Sequence, residues 1–168
     1  DLDRSPGREH PFPSSSSWGF TQHGPFYAVY PTMQRSVYLM TQRLKRHPFL
    51  ALFDGADTNS STAKRTLTTT PTQALYLLNS DFVHERSQSL AKRILSKSED
   101  DRERVRFAVQ TALGKTASDR EVETSLEFVA AQRAAAIRAG ADSVAAVMDG
   151  WSAFSRTLLV RNDFLFLD

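Results

Sequence analysis

Apolar residues recur at helical spacing over most of the chain after residue 32, and strand-like alternation of apolar and polar residues is almost absent. The periodic stretches are bounded by residue types that begin or end helices, such as Pro, Gly, Ser and Asp. The pattern predicts an all-α fold, an irregular domain of five or six helices. The predicted helices cover residues 33–46, 71–78, 81–95, 100–113 and 119–139, with a last helix that begins near 142.

Local sequence signals place several of the helix ends. Thr70 is the predicted N-cap of the second helix, with Pro71 at its first position. Gly114 is expected to end the fourth helix. Ser118 and Glu121 form the predicted capping box of the fifth helix, in which each side chain bonds the backbone amide of the other residue.

The apolar positions also predict which side of each helix is buried. Leu75 and Leu78 are expected on the buried side of the second helix. The expected buried positions of the third and last helices are Phe82, Val83, Leu90, Ile94 and Leu95, and Val144, Val147, Met148, Trp151, Phe154, Leu158 and Leu159. The short apolar segment 49–53 and the terminal "NDFLFLD" are expected to insert into the core.

The first 32 residues have a different composition from the rest. They hold five of the seven prolines, which forbid a long helix, yet they are too rich in aromatic residues for a disordered linker. We therefore predict an extended arm over 1–32 that packs onto a helical body over 33–168, the whole chain forming one domain. Because the opening residues read as the interior of a longer sequence, we expect the C-terminal portion of a larger domain.

Composition excludes several classes of function. A formal net charge of +2 over 168 residues does not demand a nucleic-acid partner. The chain has no cysteine, so it can hold neither a disulfide nor covalently attached haem. No apolar run is long enough to span a membrane. The sequence also lacks a Gly-rich phosphate loop and a G-x-S-x-G nucleophile motif, so no catalytic residue is predicted.

The polar loop after the segment "RHPFLALF" is the first candidate for a binding site. Asp57, Asn59 and Ser61 alternate like the first ligands of a calcium loop, but Thr62 and Thr68 stand where an EF-hand needs Gly and Glu. One interpretation is an irregular metal or sugar site that contains Asp54, Asp57 and Asn59. The other is a connector whose polar side chains bond its own backbone.

Histidines from the arm could complete such a metal site. His10 and His23 lie in "EHPFP" and "TQHGPF", and with the carboxylates of the loop they could form a site of nitrogen and oxygen ligands for calcium or zinc. His84 begins "HERSQ", in which Gln88 stands where a metalloprotease has its second histidine. The competing interpretation is that all four histidines are packed or surface residues.

A basic group on either side of this loop is the second candidate. It could bind an anionic polysaccharide or the acidic surface of a partner protein. Alternatively, its arginines could bond loop carbonyls and carboxylates within the chain. The group consists of Arg35, Arg43, Lys45, Arg46, Lys64 and Arg65.

Long strings of the chain resemble a known family. "FTQHGPFYAVYPTMQRSVYLMTQRLKRHPFLALFDGADTNSSTAKR", "TTTPTQALYLLNSDFVHE", "ALGKTASDREVE" and "WSAFSRTLLVRNDFLFLD" occur in order and cover nearly the whole sequence. They are similar to the planctomycete-specific C-terminal domain of unknown function DUF1553. One departure is Asn79-Ser80-Asp81-Phe82, where the family often has Asn-Asp-Pro-Phe, and the missing proline is expected to let two helices run together.

The resemblance implies a setting rather than an activity. The resemblance implies that the domain ends a large exported protein carrying a planctomycete cytochrome-c-like domain or a companion domain, so a periplasmic, cell-surface or secreted location is expected. Any haem would belong to that other domain. The leading hypothesis is a non-catalytic helical interaction module that packs against upstream domains of its parent or another exported protein. The alternatives are part of a metal-dependent hydrolase or carbohydrate-active site, and a basic patch that binds an anionic glycan.

Overall fold

The helices agree with the all-α prediction. The structure is a computed structural model that describes residues 36–38, 46–61, 63–64 and 68–165, and these residues contain helices and no strand. Five helices are long and two are short. They are α1 (Pro48–Leu52), α2 (Pro71–Asn79), α3 (Asp81–Leu95), α4 (Asp101–Leu113), α5 (Asp119–Arg138), α6 (Ser143–Leu159) and α7 (Asn162–Leu165).

The chain divides into two compact units, Asp1–Gln73 and Ala74–Asp168, with the boundary inside α2. The predicted arm lies outside the described residues, so its extended form and the single-domain organisation stay predictions. Of the predicted helix over 33–46, the described part shows only a 3-10 turn at Ser36–Tyr38 and a non-helical Arg46.

The second unit is built around α6. This helix packs against both α3 and α5, and α4 closes the remaining side. Trp151 of α6 is fully buried, and its ring meets Phe154 edge-on with centroids 5.9 Å apart. We call the buried cluster the α3–α6 core; it consists of Ala91, Ile94, Val105, Ala108, Val109, Ala117, Val122, Val129, Trp151, Phe154 and Leu158.

The predicted helix ends of this unit are largely confirmed. Gly114 adopts φ 68° and ends α4, where a residue with a side chain would be strained. The Ser118 hydroxyl accepts from the Glu121 amide at the start of α5. The second half of that capping box is wrong, because the Glu121 carboxylate instead accepts from Arg161 at 2.8 Å. A side-chain ion pair thus replaces the expected bond to the backbone.

Gly150 lies at a close approach of α6 to α5. A Cβ atom at this position would lie 2.6 Å from Cγ of Arg133 and 3.1 Å from the carbonyl oxygen of Val129. The absence of a side chain therefore lets the backbone of α6 lie directly against α5.

Several predicted buried positions are exposed. Leu75, Leu78 and Phe82 are 58%, 51% and 50% exposed, and Val144 in the first turn of α6 is 79% exposed. The described part of the terminal segment is exposed as well, since Phe164 and Leu165 lie on the surface in α7. The expected terminal plug is therefore wrong for these two residues.

The junction of α2 and α3 corrects a further expectation. Ser80 is extended, with ψ 127°, between the last residue of α2 and the first of α3. Its amide bonds the Tyr76 carbonyl, and its own carbonyl accepts from His84. The two helices follow one another directly but do not merge, although the family's proline is absent.

Candidate functional site

The predicted metal loop is tied to itself by its own carboxylates. Asp54 has φ 55°, a left-handed conformation that Asp tolerates better than most residues. Its carboxylate accepts from the Thr68 amide at 2.8 Å and from the Thr68 hydroxyl at 2.8 and 2.9 Å. The two ends of the loop are thereby joined across fourteen residues.

Asp57 makes a local turn of the same kind. Its Oδ1 accepts from the Asn59 amide at 2.9 Å and from the Asn59 side-chain nitrogen at 3.3 Å. This Asx turn orders the exposed tip of the loop. Two of the three predicted oxygen ligands thus bond each other in the described structure.

Gln73 joins the loop to the start of α2. Its Oε1 accepts from the Thr70 amide at 3.0 Å, while the Thr70 hydroxyl accepts from the Gln73 amide at 3.3 Å. The pair is a reciprocal capping box, which confirms Thr70 as the N-cap. The Gln73 Nε2 also donates to the Leu52 carbonyl at 2.8 Å, so the buried amide connects α1 to α2.

His47 caps the short helix α1. Its Nδ1 accepts from the Phe49 amide at 3.3 Å, and Pro48 occupies the first helical position. Partial burial lowers the pKa of the His47 imidazole from its ordinary 6.5, because desolvation disfavours the charged ring. The lowered pKa favours the neutral ring, whose Nδ1 can accept this bond.

The metal hypothesis is answered in part by this geometry. Among the described residues, no group of three or more His, Asp or Glu side chains could hold a metal ion. His10 and His23 lie outside the described residues, so a site that they complete with Asp54, Asp57 and Asn59 stays a prediction. The bonds within the loop match the competing connector interpretation.

The basic group is likewise described only in part. Arg46 donates to the carbonyl of Gly55, and Lys64 is exposed. Arg35, Arg43, Lys45 and Arg65 lie outside the described residues. The Arg46 bond is the kind of contact that the structural interpretation expects, and the glycan-binding patch stays a prediction.

The second unit presents apolar side chains on its surface at α2 and α3. Leu75 and Leu78 lie one turn apart on the same side of α2, and Phe82 follows in the first turn of α3. The guanidinium of Arg86 lies 5.7 Å from the centroid of the Phe82 ring. We call Leu75, Leu78 and Phe82 the α2–α3 apolar surface.

The sequence pattern missed this surface for a physical reason. The run "ALYLL" is apolar on every side of a helix, so it does not identify the buried face. The covered side holds Gln73, Tyr76 and Leu77, of which Gln73 is the most buried. Gln73 can be buried on that side because the polar groups of its side chain all find hydrogen-bond partners. Its position three residues after Thr70 is the signal of a capping box from which its burial could have been predicted.

None of the helices in the described part of the chain is both long enough and apolar enough to cross a membrane.

Comparison with known proteins assigns the chain to a family but not to an activity. The family model of PSD1, a protein of unknown function (DUF1553), matches residues 9–129, well over half of the chain. No curated protein and no solved structure matches significantly. The chain therefore belongs to the DUF1553 family of proteins of unknown function.

Proposed function

We propose that the chain is a non-catalytic helical interaction module of an exported planctomycete multidomain protein. The observation that supports it is the α2–α3 apolar surface. Three large apolar side chains at least half exposed lie within eight residues of the chain, on two consecutive helices. Apolar side chains grouped in this way mark a protein-binding surface more often than scattered ones do.

The proposed partner is an upstream domain of the same parent protein. The resemblance to multidomain family members suggests such a neighbour, and an attached partner needs little intrinsic affinity because its effective concentration is high. The rim fits a protein partner, since Arg86 and Asn79 beside the apolar residues can bond polar groups at the edge of an interface.

The test is a binding measurement between this chain and the upstream part of its parent, produced separately. Calorimetry should detect a complex, and Leu75→Glu with Leu78→Glu should weaken it by roughly ten- to a hundredfold, because each half-exposed leucine loses about half of the 1.5–3 kcal/mol that full burial provides. Val144→Glu is the matched control, because Val144 is even more exposed but lies on α6. Equal weakening by the control, or no complex with the wild-type chain, would contradict the proposal.

A further inference from the structure

A polar pocket lies between α3, α5 and α6 in the second unit. Its volume is about 250 Å³, and seven of its eight lining residues are polar or charged. This size is slightly below the usual range for drug-sized ligands and suits a molecule no larger than a monosaccharide. The three helices that form it also enclose the α3–α6 core, so its walls are supported by buried packing.

Arg156 places a positive charge in this pocket. Its Nη1 lies 3.2 and 3.3 Å from the two ring nitrogens of His84, and the residue is half-buried. Within the described residues, no carboxylate forms an ion pair with Arg156, whereas at least one carboxylate pairs with each of Arg102, Arg104, Arg106 and Arg161. A guanidinium has five N–H donors, so several remain available to a ligand.

The Ser152 hydroxyl is a further hydrogen-bonding group beside the pocket. Its hydroxyl is buried and has no partner among the described residues. Ser87, Ser89 and Ser125 instead donate to the carbonyl four residues earlier in their own helices. Ser152 lies one turn before Arg156, so both groups belong to the same side of α6.

The remaining lining groups suit hydroxyl groups. Gln88 and Gln132 can both donate and accept, and the Asp149 carboxylate accepts only. Asp149 precedes Arg156 by seven residues, a rise of about 10 Å along α6. The negative charge of Asp149 disfavours a dianion such as phosphate, whereas Arg156 suits the planar carboxylate of a monoanion.

We propose that this pocket binds a small hydroxylated carboxylate, with its carboxylate on Arg156 and its hydroxyls toward Gln88, Gln132 and Asp149. This binding site is separate from the proposed partner surface, since none of its lining residues belongs to the α2–α3 apolar surface.

The first test is a nuclear magnetic resonance titration of the wild-type chain with glucuronate. The side-chain amide signals of Gln88 and Gln132 should shift and saturate, with a Kd on the order of 1 mM. Glucose, which lacks the carboxylate, and inorganic phosphate should not give saturating shifts there. Absence of saturable shifts with glucuronate, or equal shifts with glucose or phosphate, would overturn the proposal.

Two variants test the assigned charges. Arg156→Gln should weaken glucuronate binding by about tenfold or more, because it removes a charged donor. Arg120→Gln, at an exposed arginine of α5 outside the pocket, should leave the Kd unchanged. Unchanged binding by a folded Arg156→Gln variant would overturn the role of Arg156.

The second variant, Asp149→Asn, remains testable even if Arg156→Gln fails to fold, because Asp149 is exposed. Removing this negative charge should allow inorganic phosphate to bind and shift the same two glutamine signals. If phosphate still gives no shift, the proposed selection by charge is wrong.

Discussion

The 54–70 loop and the α3–α6 core are ordered by opposite means. At the described residues of the loop, the carboxylates of Asp54 and Asp57 accept from backbone amides, and Gln73 at the start of α2 bonds the Leu52 carbonyl and the Thr70 amide. In the core, Trp151 and its neighbours are buried with few polar contacts. Carboxylates can therefore order the local backbone by accepting its hydrogen bonds instead of binding a metal. Residue type alone does not identify a binding site.

The largest expected change in the free energy of unfolding separates a buried apolar residue from an exposed one. Trp151→Ala should lower the free energy of unfolding by about 3–5 kcal/mol, because it leaves a cavity in the core. Leu75→Ala should change it by less than about 0.5 kcal/mol, because that side chain is mostly exposed. Urea denaturation measures both values. Comparable losses would mean that the α2–α3 apolar surface is covered within the isolated chain.

A smaller effect is expected where polar bonds order the loop. Gln73→Ala leaves the Leu52 carbonyl and the Thr70 amide without their side-chain partner, at a cost of about 1–2 kcal/mol. Hydrogen exchange should show lost protection of the Thr70 amide and fraying of the first turn of α2. Thr69→Ala is the control, since Thr69 is exposed. Unchanged Thr70 protection in the Gln73 variant would show that the loop is ordered by other contacts.

The smallest effect concerns His47 and pH. The pKa of the folded-state imidazole lies below 6.5, so the unfolded chain binds a proton first as pH falls. The contribution of His47 to stability is therefore fully present above pH 6.5 and is lost as pH falls through the folded-state pKa. Titration of the imidazole signals should give a His47 pKa below 6.5, together with weaker protection of the Phe49 amide at acid pH.

His47→Asn is the matched control for this titration. Asparagine is a good N-cap that does not titrate near neutrality, so α1 should persist while its pH dependence disappears. An imidazole pKa at or above 6.5 in the wild-type chain would contradict the burial of His47.

Much of the second unit could be predicted from sequence because its signals are local. Gly114 and Ser118 each act within one helical turn, and both were predicted correctly. The burial of Ile94 and Trp151 follows from the helical spacing of apolar residues in α3 and α6. In these helices, local preference and tertiary packing agree.

The errors arise where a tertiary contact decides between two equally apolar sides. Leu75 and Leu78 were assigned to the buried face, but both are more than half exposed, and the buried Gln73 lies on the other side of α2. The buried side of α3 contains Val83, Ser87 and Ala91. Phe82 precedes Val83 by one residue and therefore lies outside that buried side. The polar pocket was missed because its residues come from three helices far apart in sequence.

Gly150 restricts the register in which α6 packs against α5 during folding. Helices lined with small and medium apolar residues can dock in several registers, each one turn apart. Because α5 approaches α6 at the one position where a hydrogen atom replaces a side chain, sliding by a turn would bring Ala146 or Phe154 against the carbonyl of Val129. The glycine thus favours the native register because a shifted register would place a side chain against the α5 backbone. It does so without adding an attractive contact to the native register.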